Sequence, residues 1–179
     1  MVDTSVDSDE LAELKDSLQQ SLNFIPSDAL VGLITYGKMA FVHELGFQHC
    51  PKSYAFRGDK AIKPEEVKAQ LGLSHVSDPL QKGDSSALKR FLVPVSECEF
   101  TLNSILDDLQ SDPWPTKQGH RAARCVGTAL NIAISILELS GSGTRGSRIV
   151  NLMGGAVTVG PGKIVDEDLK MKIRSHMDI

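Results

Sequence analysis

The run ALVGLITYG, residues 29–37, constrains this chain more than any other stretch. It is nearly continuous in apolar, often branched side chains, the pattern of a strand buried on both faces rather than one with a wet side. Such a strand needs a layer above and a layer below it. Gly37-Lys38 then supplies a tight turn into MAFVHEL, a partner strand expected to pair antiparallel and to lie toward a sheet edge.

The covering layers are legible as helical spacings. Leu11, Leu14, Leu18 and Leu22 fall three and four apart, behind a capping-box-like pair, Asp7 and Glu10. SECEFTLNSILDDLQ repeats the spacing through Phe100, Leu102, Ile105, Leu106 and Leu109, with Ser96 and Glu99 as a second such pair, and the prolines of DPWP end it. A long helix is expected from about Gly119 to Leu139, apolar nearly all round in its second half. FLVPV reads as extended chain, RIVNLM as a buried strand, GGAVTVGPGKI as the loop leaving it, and 166–174 as a last helix. Residues 47–90 read as a polar insertion, broken by a short helical pattern at KPEEVKAQLGL and ending in a stretch with the composition of a mobile loop. This alternation predicts a doubly wound α/β layer structure over residues 1–179, with its crevice at the carboxyl ends of the strands. Met1-Val2 is a short first strand and the chain stops at Ile179 without a closing element, so the fold is expected to be incomplete at both ends.

Composition excludes several function classes. At 179 residues and 41% hydrophobic content, one well-buried core is expected. With 19 basic against 23 acidic residues and a net charge of -4, nothing marks a nucleic-acid footprint. Cys50, Cys98 and Cys125 form no CxxC pair, which argues against a zinc cage and a disulfide framework. The N-terminus lacks the regions of a signal peptide, and no apolar run reaches about 18 residues, so membrane contact is expected to be peripheral.

The chemistry-bearing candidate is DTSVD, residues 3–7. Acid, hydroxyl and acid at alternate positions, between a strand and a helix, could hold a divalent cation. In α/β domains of the von Willebrand factor A type, a first strand ending in DxSxS, a later threonine and a strand-ending aspartate hold magnesium through oxygen. This chain has Asp3 and Ser5, but Asp7 replaces the second serine. GHRAARCVGTALNIA resembles the threonine-bearing segment and puts Arg124 at the ligand position, where a guanidinium cannot ligate a cation. NLMGG puts Gly154 where the aspartate would stand. The expectation is a vestigial site formed by Asp3, Ser5, Asp7, Arg124 and Gly154 that holds no metal, with Arg124 reaching the carboxylate of Asp3 or Asp7 in the old cation's place. His120, Arg121 and Arg124 are expected at a helix start, where each opposes the macrodipole by roughly 0.3 to 1 kcal/mol.

Other motifs fail in detail. Gly155 and Gly160 have phosphate-loop spacing, but Pro161 stands where lysine is required and Lys163 is followed by Ile164. No GxSxG or HExxH occurs, so no catalytic residue is assigned. Trp114 reads as a loop residue over the core, or else as an interface anchor.

Several long stretches carry a more specific resemblance: ALVGLITYGKMAFVHELGF, KSYAFRGDK, FLVPVSECEFTLNSILDDLQSDPWP, GHRAARCVGTALNIA and GGAVTVGPGKIVDEDLKMKIRSHMDI. They resemble the trunk domain of the Sec-twenty-three family, the COPII inner-coat subunit that stimulates the Sar GTPase, over all but the polar linker near Ser74 to Ser86. The resemblance implies a partial trunk domain of von Willebrand A type without a functional metal site. It implies a scaffold, not an enzyme, in endoplasmic-reticulum-to-Golgi transport, at the cytosolic face of that membrane and on coated vesicles. Its implied partners are the Sar GTPase, the cargo-binding coat subunit and, through the full-length protein, the outer coat. The family's stimulating arginine and its zinc finger are implied to lie outside this segment, so no cofactor is expected. The alternative is a von Willebrand A-type adhesion module using magnesium at Asp3, Ser5 and Asp7.

Overall fold

A computed structural model describes residues 1–47, 50–73, 87–140 and 146–170. The strands are β1 Val2–Asp3, β2 Leu30–Val31, β3 Ile34–Tyr36, β4 Met39–Glu44, β5 Lys52–Arg57 and β6 Val93–Pro94. The helices are α1 Ser8–Leu22, α2 Pro64–Leu71, α3 Val95–Asp108 and α4 Val126–Leu139. Four strands form one sheet in the order β1-β3-β4-β5, and β2 pairs with β6 in a second.

The 29–37 run is not one strand. It breaks between β2 and β3, which belong to different sheets, because Gly32 crosses close beneath another backbone: a Cβ there would lie 2.9 Å from the Phe91 carbonyl oxygen. Past the break, Ile34 and Tyr36 are buried toward one side while Leu33 packs on the other, as residue alternation requires.

Each face of the main sheet carries its own core. On one, Ile34, Tyr36, Ala40, Val42 and Phe56 meet Val67 and Leu71 of α2 and Ala129, Ile132 and Ile136 of α4. On the other, Val2, Leu33 and Leu45 meet Leu11 and Leu22 of α1 and Cys98, Leu102, Ile105 and Leu106 of α3. Each fully buried aliphatic side chain of this kind contributes about 1.5–3 kcal/mol. The fold is therefore mixed α/β with helices against both faces. Among the named strands of the described residues, β1 and β3 pair in parallel, and β3-β4-β5 is an antiparallel meander, since those strands are joined by connections too short to cross over.

Several expectations need correction. β4 is an inner strand and β5 is the edge, within the stretch read as a polar insertion. Only Tyr54 and Phe56 of β5 turn inward, a pattern too sparse to announce a strand. In the same stretch α2 stops at Gly72 (φ 70°), whose left-handed backbone favours glycine. α4 begins at Val126, not near Gly119, so His120 and Arg121 lie ahead of the helix and outside the reach of the macrodipole argument, whereas Arg124 stands directly before the N-cap Cys125. RIVNLM is not a buried strand: it touches β1 through one parallel bridge, Val2 to Leu152, and Val150 is 65% exposed. The α3 N-cap is Pro94, so Ser96 lies inside the helix rather than capping it. Residues 166–170 are not helical, and 171–174 of that expected helix lie outside the described residues, as does most of the expected mobile loop.

Candidate functional site

Asp3 closes β1 beside Tyr36 at the end of β3, so the fold delivers its carboxylate to the carboxyl end of the parallel pair. Thr4 continues the ladder, its N–H donating to the Tyr36 carbonyl oxygen at 2.8 Å, and the chain then turns into α1. Asp3 is 1% exposed. A buried carboxylate must find donors, and three are present. The Ser5 N–H reaches Oδ1 at 2.8 Å, the Gly154 N–H reaches Oδ2 at 3.0 Å, and Arg124 Nε reaches Oδ2 at 2.6 Å.

Arg124 ties the rest of the site together. Its Nη2 donates to the Ser5 carbonyl oxygen at 3.0 Å. Its backbone N–H donates to Thr158 Oγ1 at 2.9 Å, and the Thr158 hydroxyl donates in turn to the Ala122 carbonyl oxygen at 3.0 Å. The Ser5 hydroxyl donates to the Ala123 carbonyl oxygen at 2.8 Å. Glycines leave the room this needs: a Cβ on Gly155 would stand 2.7 Å from Arg124 Nη1, and one on Gly154 would stand 2.3 Å from Val6 Cγ1.

Of the five residues singled out in the sequence, four thus meet: Asp3, Ser5, Arg124 and Gly154. Asp7 does not join them. It is exposed at the N-cap of α1 and makes no side-chain capping bond there. Around the cluster, Tyr36 donates its hydroxyl to Asn151 Oδ1 at 2.8 Å, and burial raises its pKa well above the ordinary phenol value. Burial pushes the Cys125 thiol up to about 12, so it is held as an unreactive core group. Every oxygen of the Asp3 carboxylate is engaged by a protein donor, an arrangement suited to holding loops together. Among the described residues no group of three or more His, Cys, Asp or Glu side chains gathers as a metal site.

The model for the Sec23/Sec24 trunk domain family matches residues 1–179. The chain belongs to that family. Protein transport protein SEC23 F of Arabidopsis thaliana is 43% identical to it over 189 aligned positions, which cover 100% of this chain and 24% of that protein. This trunk segment thus spans about a quarter of the length of that curated relative.

Two contributors to the trunk site escaped the sequence reading. Thr158 sits in the glycine-rich stretch considered only for phosphate, and Gly155 is needed for clearance beside the guanidinium. A short hydroxyl residue between glycines carries no spacing that would announce either role. The glycine-rich stretch itself packs on protein: a Cβ on Gly160 (φ 75°) would lie 2.0 Å from the Gly58 carbonyl oxygen.

Proposed function

We propose that this chain is the trunk portion of a COPII vesicle-coat subunit and acts in protein transport from the endoplasmic reticulum by docking other proteins, not by chemistry of its own. The observation that carries this reading is the family match over every residue, together with 43% identity to a protein transport protein. The sheet with helices on both faces, entered by a parallel strand ending in Asp3, supports a von Willebrand A-type layer. The salt bridge from Arg124 supports reading Asp3, Ser5 and Gly154 as a cation pocket whose charge is now supplied by the protein itself.

In this reading the rigid sheet aligns the Sar GTPase and the cargo-binding subunit, and the nucleotide chemistry belongs to the GTPase. The outer coat is reached through the full-length protein. The place of action is the cytosolic face of the endoplasmic reticulum and the coated vesicle, through peripheral contact; among the described residues no helix is long and apolar enough to cross a membrane. The magnesium-dependent adhesion reading has no support in the relatives, and the Asp3 oxygen it would use is bonded to Arg124.

The full-length parent protein, offered Sar loaded with GTP or with GDP in a pull-down, is expected to retain the GTP form preferentially. Equal retention, or none, would overturn the coat reading.

A further inference from the structure

We draw no further inference here: the strongest candidate, the apolar groove between β3, the C-terminal half of α4 and residues 148–150, lined by Ile34, Ala133, Ile136 and the exposed Arg148, is an unpartnered face, and nothing in the structure shows what covers it.

Discussion

Two arginine–carboxylate pairs hold opposite ends of this molecule, and they hold it differently. In the Arg124–Asp3 pair the two side chains are 12% and 1% exposed, and the partners are 121 residues apart in sequence. In the Arg90–Glu44 pair the corresponding values are 35% and 5%. The first is a single contact through Nε, surrounded by backbone donors and acceptors from three loops. The second is two-pronged, Nε to Oε1 at 3.0 Å and Nη2 to Oε2 at 2.9 Å, with the guanidinium also bonded to the Tyr54 hydroxyl and resting near the Tyr54 and Phe91 rings. One pair organises irregular chain at the end of a parallel strand; the other clamps β4, β5 and the turn before β6 against an aromatic ledge. Burial, not ideal geometry, decides which matters more, because an uncompensated charge costs most where water cannot reach it.

The largest expected effect follows from that difference. Asp3→Ala strands the Arg124 guanidinium with only carbonyl oxygen for company and removes the acceptor of three donors. A loss of about 3–5 kcal/mol is expected, the range for breaking a buried pair from one side. Urea unfolding of the variant measures it directly. A loss below that of any Arg90–Glu44 variant would reverse the ranking and place the organising contact elsewhere.

The two pairs also differ in how far the sequence announced them. Asp3, Ser5, Arg124 and Gly154 could be nominated because each fell on a position of a known oxygen-ligand pattern, and the departures from that pattern, guanidinium and glycine, were chemically interpretable. Asp7 fell on the same pattern yet lies outside the cluster, since the turn into α1 carries its side chain to the surface. Nothing nominated Glu44 and Arg90. They are 46 residues apart, and β5, which supplies Tyr54 between them, has an exposed, polar outer face that masks its alternation. The helices α1 and α3 were legible because three-and-four spacing is a property of one segment. Where ALVGLITYG breaks was not, because Gly32 is needed only once Phe91 from a distant segment lies against it.

A smaller and pH-dependent effect separates the pairs further. Hydrogen bonding to Arg90 holds the Glu44 carboxyl below the ordinary glutamate range, against the opposing effect of burial. A carboxyl whose folded value lies below its unfolded one contributes stability above about pH 4.3, and that contribution is lost as acid drops the pH through the folded value. Glu44→Gln is therefore expected to cost about 1.5–3 kcal/mol at pH 7, as for a hydrogen bond to a charged group. The gap to the parent chain should narrow as the pH falls below about 4.3. Parallel denaturant curves across that range test the sign. A gap that widens in acid would mean that the substituted amide packs worse for reasons unrelated to charge.

The smallest effect belongs to a third arginine–carboxylate pair, two-pronged like the second but the least buried of the three. Arg57 Nε and Nη2 meet Asp59 Oδ1 and Oδ2 at 3.1 and 2.7 Å, a two-pronged contact like that of Arg90, yet the side chains are 67% and 51% exposed. Water screens this pair and solvates either partner when the other is removed, and holding two long side chains in one arrangement has an entropic cost. Arg57→Ala is expected to leave the urea midpoint within experimental scatter, at low salt and high. If exposure rather than hydrogen-bond shape governs these three pairs, the order of loss must run Asp3, Glu44, Arg57. A measurable loss at Arg57 that vanishes with added salt would show that the β5 edge carries an electrostatic role that neither of the buried pairs shares.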